Sequence, residues 1–414
     1  MARGNLVAAL RRVEQNAGAP GIDGMSTKEL GPWLKAHWPE IRSQLDAGTY
    51  RPQPVRRVMI PKPSGGERML GVPAAVDRLI CQALSQVLTP TFDPHFHPCS
   101  FGYRPRRSQH HAVEQARQFV NDDAVWCADL DLESFFDRVQ HDALMARVAR
   151  RVQDTRVLRL VRRYLEAGVM EGGLVHASEE GTPQGSPLSP LLSNVMLDDL
   201  DWELERRGHR FVRYADDVRV YVASERAGQR VLESITRYVE RRLKLKVSRQ
   251  KSAVDLAKKR RLLGFRFFGR DREVRVRIDP SARKRAKDRL RQLTSRRWGV
   301  SMERRIREIN RFTVGWTAYY ALADTPSVYE ELDEWLRRRL RQVRWKEWKR
   351  PKTRRRNLRA LGIPEQKAHE WANSRKGYWR IAGSAPLQRA LPNAYWADQG
   401  LKGFADPYRR FREC

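Results

Sequence analysis

Residues 211–223 read FVRYADDVRVYVA. Apolar and polar residues alternate on both sides of Ala215-Asp216-Asp217, which predicts two strands joined by a tight turn with Asp216 and Asp217 at its tip. Two adjacent carboxylates there repel each other, and a divalent cation relieves that repulsion. An Asp-rich solvent turn has the same pattern, so a second acidic element must decide its meaning. Residues 125–139, VWCADLDLESFFDRV, supply one. Asp129 and Asp131 alternate on one face of an apolar strand, just before Phe135-Phe136-Asp137. A strand that aims carboxylates at a carboxylate hairpin is the layout of two-metal phosphoryl transfer, with ions roughly 3.5–4 Å apart. The protein would supply the acidic cage and hold the reactants in line.

The rest of the composition fits that chemistry. The 414 residues carry 81 Lys+Arg and 49 Asp+Glu, a formal net charge of +32. With 41% hydrophobic and 9% aromatic residues the chain can build large cores, which excludes a disordered basic tail. At ~100–200 residues per domain, two to four units are expected. There is no run of eighteen apolar residues, and MARGNLVAAL is too short and too quickly polar for a signal peptide. A cytoplasmic protein with no membrane partner is expected. Cys81, Cys99, Cys127 and Cys414 form no CxxC or Cys/His cluster, so neither a zinc site nor a disulfide framework is indicated. His95, His97, His110 and His111 lack a completing ligand and read as surface residues. A polyanionic partner is what the charge requires.

That charge is concentrated. Residues 281–360 hold 25 Lys+Arg and 9 Asp+Glu, half of the excess, and eight of the twelve tryptophans lie beyond residue 281. Within 332–343, Leu332, Trp335, Leu336, Leu340 and Val343 have helical spacing. Arg337, Arg338, Arg339, Arg341 and Arg344 fill much of the rest, a face suited to a phosphate backbone. Residues 1–55 read as short helices joined by GAPGIDGMST. A β-type stretch closes around Ser64-Gly65-Gly66, and strand-like and helical runs alternate from 121 to 275. Beyond 281 the pattern is almost all helical. Asp279-Pro280 and a basic linker at Pro351-Lys352-Thr353 read as the domain breaks.

YADD at 214–217, DLESFFDRV at 131–139 and GTPQGSPLSPLLSN at 181–194 resemble the palm motifs of reverse transcriptases. More narrowly, the chain resembles a bacterial group II intron-encoded reverse transcriptase and maturase along essentially its whole length. GAPGIDG at 18–24, IPKPSGGERMLGVPAAVDRLI, SFGYRP at 100–105, RRLLGF at 260–265 and the ending SRKGYWRIAGS…LPNAYWADQGL carry the rest of the likeness. The resemblance implies an α+β, right-hand polymerase: an N-terminal extension (1–55), fingers (56–124), a βαββαβ palm (125–279), a helical thumb (280–352) and a small DNA-binding domain (353–414). It implies an RNA-directed DNA polymerase that extends a primer on an RNA template. It also implies a maturase that binds its intron RNA, supporting splicing and retrohoming into target DNA from a ribonucleoprotein. A host-adapted or CRISPR-associated enzyme, or a maturase without a polymerase role, would share much of this pattern, and the DNA flanking the gene separates the first of these.

Residue by residue, the resemblance makes Asp131, Asp216 and Asp217 the catalytic carboxylates and ligands of two Mg²⁺ ions, with Asp129 as an alternate. Phe136, five residues after Asp131, matches the steric gate under the sugar of the incoming dNTP. Lys62 and Arg68 match the fingers cations on the triphosphate, and charge-assisted contacts suit them to it. Gln184 matches the residue that packs on the dNTP, with Gly181, Pro183 and Gly185 letting backbone approach the nucleotide. Ser186 departs from the family's usual glycine. Tyr214 would lie by the template-primer, Gly264 by nucleic acid, and Lys251 by the pyrophosphate, with a general-acid role suggested. Arg337, Arg338, Arg341 and Arg344 would contact nucleic acid. The family's longer members end in a Cys/His endonuclease domain, and no such cluster occurs before Cys414, so second-strand cleavage is not expected of this chain.

Overall fold

The computed structural model describes residues 2–61, 67–171, 174–176, 180–181, 185–269 and 273–413. The chain forms two compact units, Met1–Ala257 and Lys258–Cys414.

The first unit is built on an antiparallel sheet. In chain order, β1 is Val55–Pro61, β2 Glu67–Val72, β3 Trp126–Asp131, β4 Val169–Glu171, β5 Leu174–His176, β6 Arg210–Tyr214, β7 Asp217–Val222 and β8 Ala253–Leu256. The sheet runs β6-β7-β3-β8. The helix Ser189–Arg206 ends the long connection from β3 and leads into β6, and the helix Glu225–Tyr238 lies between β7 and β8. This is the expected βαββαβ topology, a split βαβ arrangement. Alternation sets its register: Leu130, Val218, Val220 and Phe211 are buried in the core with Leu197, Leu200, Val231 and Ile235 from the two helices. Ser224 caps the second helix, its Oγ accepting from the Ala227 N–H at 3.3 Å. Gly228 lets that helix lie against the strands, since a Cβ there would sit 2.6 Å from Val254 Cγ1.

A second sheet, β2-β1-β4-β5, stands beside the helices Ala75–Phe92 and Thr155–Glu166. The expected hairpin pairs Pro61 with Glu67, and its Ser64-Gly65-Gly66 loop lies outside the described residues. GAPGIDG has a structural task here. Asp23 Oδ2 accepts from the Ala75 N–H at 2.8 Å, capping the helix Ala75–Phe92, and a Cβ on Gly21 would meet Pro73 O at 2.6 Å.

The second unit begins with a hairpin of β9 (Phe265–Phe268) and β10 (Arg275–Ile278), followed by the helices Pro280–Leu293, Met302–Tyr320, Pro326–Glu347 and Pro351–Ala360 and five shorter ones. The hairpin groups with these helices rather than with the β6-β7-β3-β8 sheet: the Asp324 N–H donates to Val276 O at 2.7 Å and Tyr319 Oη to Leu263 O at 3.0 Å. Asp279-Pro280 is a helix start, with Asp279 Oδ1 accepting from the Ser281 N–H at 2.9 Å. Pro351-Lys352-Thr353 corrects the sequence reading. It is no linker but the first turn of a helix, where proline is tolerated because the N–H it lacks would be unpaired anyway. Arg354 from that helix stacks on the buried Trp345, 4.5 Å from its ring centre.

Candidate active site

The turn expected at 214–217 forms, one residue tighter than read. Tyr214 and Asp217 are paired ends of β6 and β7, and only Ala215 and Asp216 make the turn. Ala215 takes a left-handed backbone, φ 58°, which is uncommon for a residue with a side chain. Two features hold it there. Gly102 of SFGYRP lies flush on the turn, since a Cβ would fall 2.3 Å from Ala215 N. Arg213, wholly buried, donates through Nη1 to Ala215 O at 3.0 Å and to Asn194 Oδ1 at 2.9 Å, and through Nη2 to Ser100 Oγ at 2.7 Å. Its charge is met by the equally buried Asp201 at 2.5 Å. Residues 99–102 therefore act as an added strand on β6, bonded in both directions between Arg213 and the Cys99–Phe101 segment at 2.9 Å.

Asp131 stands directly opposite Asp217 in the β3–β7 pair. Like charges facing each other across a sheet are destabilising unless a cation intervenes. Lys251 Nζ approaches Asp131 Oδ1 to 3.6 Å, and Arg219 Nε approaches Asp217 Oδ1 to 3.1 Å. The backbone of Asp131 is fixed by the segment before β8: its N–H donates to Ser252 Oγ at 3.0 Å and its carbonyl accepts from Ser248 N–H at 2.9 Å. Lys251 is thus brought to the carboxylates by the same RQKSAV stretch that holds them. Asp129 differs from Asp131: it is buried, and Arg219 Nη2 lies 3.3 Å from its Oδ2. Among the described residues no three His, Cys, Asp or Glu side chains are already gathered as an ion-binding group.

Phe136 sits in a one-turn 3₁₀ segment after β3, half-buried and edge-on to the buried Phe135 at 5.2 Å. The glycines of GTPQGS also meet the protein's own backbone. A Cβ on Gly181 (φ +97°) would meet Phe136 O at 3.0 Å, and one on Gly185 (φ +121°) would meet Gly71 O at 2.6 Å. His141, buried and unmarked by any motif, faces Gly181 O through Nε2 at 2.7 Å. Lys62, Pro183 and Gln184 lie outside the described residues, as does the side chain of Arg68. Ser186 lines a small cleft with Cys81, Asp77 and Tyr164.

Gly264 lies in the second unit, at φ +84°, and a Cβ there would fall 2.7 Å from Tyr320 Oη. The arginines expected to contact nucleic acid from the helix Pro326–Glu347 also make contacts within the protein, and one of them is buried. Arg341 is buried and donates to Leu391 O at 3.2 Å. Arg338 stacks on Trp379 at 4.0 Å and donates to its carbonyl at 3.1 Å. Arg344 pairs with Glu347 at 2.9 Å and lies over Tyr395. Arg337, half-buried, lines a cleft with Glu330, Glu334 and Arg409. The histidine reading is corrected at one position. His97 is buried between Trp202 and Phe211, with the Cys99 N–H donating to its Nδ1 at 3.0 Å.

Comparison with known proteins bears on this geometry. The family model described as "Reverse transcriptase (RNA-dependent DNA polymerase)" matches residues 60–267, and "Group II intron, maturase-specific domain" matches 283–362. Protein YkfC of Escherichia coli (strain K12) is 40% identical over 197 residues, 47% of this chain and 52% of that protein. The group II intron-encoded protein LtrA of Lactococcus lactis subsp. cremoris is 37% identical over 163 residues, 39% of this chain and 27% of that protein. The chain thus spans about half or less of the length of these relatives. A chain of a partial Cas6-RT-Cas1–Cas2 complex superposes with a TM-score of 0.37 at 24% identity, covering 58% of this chain and 41% of that one, too loose a likeness to carry weight. The reverse transcriptase match covers half of the chain and contains β3, β6, β7 and the turn that joins β6 to β7. The chain belongs to the reverse transcriptase family, among members that also carry a group II intron maturase-specific domain.

Proposed function

We propose that the chain is an RNA-directed DNA polymerase that adds dNTPs to a primer 3′-end on an RNA template, and that it binds its parent intron RNA as a maturase. One observation carries the polymerase reading. Asp131 and Asp217 oppose each other at the end of β3 and β7, beside Asp216 in a turn whose shape is enforced by Gly102 and Arg213. Reverse transcriptases as a family use divalent metals, and this donor set suits them: hard carboxylate oxygens, on facing strands, whose mutual repulsion a cation relieves. Asp131, Asp216 and Asp217 would hold two Mg²⁺ ions, which when bound lower the barrier to hydroxyl attack and stabilise the leaving pyrophosphate.

The protein's own share is alignment and charge. Rigid strand ends keep the carboxylates fixed, so little reorganisation is needed as charge develops. Phe136 forms the wall beneath the sugar. Lys62, Arg68 and Gln184 hold the dNTP, Lys251 neutralises or protonates the departing pyrophosphate, and Tyr214 and Gly264 border the template-primer. The maturase-specific match over 283–362 supports intron RNA as a partner, bound by shape and backbone contacts, with target DNA as the partner of the chain's C-terminal part. A ribonucleoprotein in the bacterial cytoplasm belongs to this proposal, prompted by likeness to proteins of two bacteria; no helix among the described residues is long and apolar enough to cross a membrane. The division into an N-terminal extension, fingers, palm, thumb and DNA-binding domain is proposed, with the last boundary moved past the helix Pro351–Ala360 and the end of the maturase-specific match at 362. Primer extension on an RNA template tests the reading. Asp216→Asn should abolish cDNA synthesis while leaving the protein folded and able to bind RNA; wild-type synthesis by that variant would overturn it.

A further inference from the structure

The next pair inward on the same face of β3 and β7 is Asp129 and Arg219, directly opposite each other. Arg219 is placed between two acids. Its Nη2 lies 3.3 Å from Asp129 Oδ2 and its Nε 3.1 Å from Asp217 Oδ1. The side chains of Arg219 and Asp129 are only 7% and 12% exposed, whereas those of Asp217 and Asp131 are 35% and 42% exposed. The four residues therefore form a square: an open acidic edge and, behind it, a buried ion pair. Burial alone would push the Arg219 guanidinium down in pKa, but Asp217 and Asp129 more than offset this and hold it above the usual arginine range. It is a permanent charge. Other groups near it, Cys127 and Tyr221, are buried as well.

We infer that Arg219, anchored by Asp129, is a positioning residue for Asp217: it fixes one carboxylate oxygen, leaves the other for a metal ion, and sets how strongly that ion is held. The inference rests on the proposed metal-binding role of Asp217. A guanidinium so close to a ligand carboxylate competes with a cation for its charge. Asp129 takes up part of the guanidinium charge, so the acid that lies too deep to be a ligand itself tunes one. A salt bridge kept only for folding would leave metal affinity unchanged, and the two ideas separate on that point.

The test uses the full chain with a 3′-deoxy primer annealed to an RNA template, and reads Mn²⁺ binding by electron paramagnetic resonance. The Mg²⁺ midpoint of primer extension is read in parallel with an extendable primer. In Asp129→Asn, Arg219 loses its buried acidic partner and keeps Asp217, so Mn²⁺ binding should weaken and the Mg²⁺ midpoint rise by roughly three- to tenfold, the scale of one partly hydrated charge interaction. In the double variant Asp129→Leu/Arg219→Met the whole pair is replaced by apolar residues, which buried pairs tolerate better than loss of one partner. Mn²⁺ binding should then tighten several-fold, while kcat falls because Asp217 is no longer held. Opposite shifts in the two variants support the inference. Wild-type metal midpoints in Asp129→Asn, or shifts of both variants in one direction, overturn it. Asp217→Asn is the control for the underlying reading. Wild-type metal binding and extension by that variant overturn the metal site itself. Loss of both there, with unchanged midpoints in the pair variants, overturns only the role of Arg219.

Discussion

At the scale of single residues, function depends on side chains that no motif marks. Arg213 is the plainest case: a charge with no solvent exposure, meeting Asp201, Asn194, Ser100 and the carbonyl of Ala215. Removing one partner of a buried pair leaves the other charge unpaired. Arg213→Met should therefore cost about 3–5 kcal/mol in denaturant unfolding, and surviving protein should extend primers poorly because the turn at Ala215 is no longer held. Phe136 makes the opposite demand, on selectivity rather than stability. If its ring closes the floor of the sugar site, Phe136→Ala should admit ribonucleotides, read as a fall in the ratio of kcat/KM for dNTP over rNTP. Unchanged discrimination would return Phe136 to the role of a core aromatic edge-on to Phe135.

At the scale of elements, the helices are tied together by polar groups whose charge state matters. Asp77, on the helix Ala75–Phe92, accepts from Tyr50 Oη at 2.8 Å, Tyr164 Oη at 3.0 Å and the Gln53 N–H at 3.0 Å. Burial, offset only in part by these bonds, raises its pKa to about 6. The unfolded chain loses this proton near pH 4, and the folded chain keeps it to about pH 6. Stability should accordingly fall as pH rises through that window, by roughly 3 kcal/mol in all, and be flat above it. In Asp77→Asn the fall over pH 4–6, followed by thermal melting, should be reduced by that amount, the remainder including Asp198, whose burial also raises its pKa to about 6. The elements themselves were legible in the sequence because a period of two and a period of 3.6 are local signals. Strands β3, β6 and β7, the helices Ser189–Arg206 and Glu225–Tyr238 and the carboxylate turn all follow from alternation and spacing. What was illegible is what joins segments far apart in the chain: Gly102 against Ala215, Ser100 with Arg213, Asp129 with Arg219. A partial signal existed. Arg213 and Arg219 interrupt otherwise apolar strands, and a charge at such a position requires a buried partner. The contacts of the arginines at 338, 341 and 344 were illegible for a related reason: a basic run on a helix is usually solvated, yet here Trp379, Leu391 and Glu347 meet them.

At the scale of the whole molecule, a net charge of +32 makes binding to nucleic acid dependent on released counterions. The helix Pro351–Ala360 presents Lys352, Arg355, Arg356 and Arg359 around one open groove. Arg355 and Arg359 share Glu365, which leaves Lys352 and Arg356 as the better phosphate contacts. Lys352→Ala/Arg356→Ala should weaken RNA binding evenly across sequences and reduce the slope of log K against log salt by about 2, one for each lost contact. An unchanged slope would place the phosphate contacts elsewhere. The strand added by residues 99–102 has a consequence for where this enzyme can be cut. All three carboxylates lie between residues 131 and 217, so a fragment starting at β3 would keep every proposed metal ligand while losing Lys62 and Arg68. It would lose Ser100 and Gly102, and with them the surface against which Ala215 is pressed. The smallest piece of chain that contains the three carboxylates is therefore shorter than the smallest piece that can hold them in place, and a minimal metal-binding core must begin before the first ligand it uses.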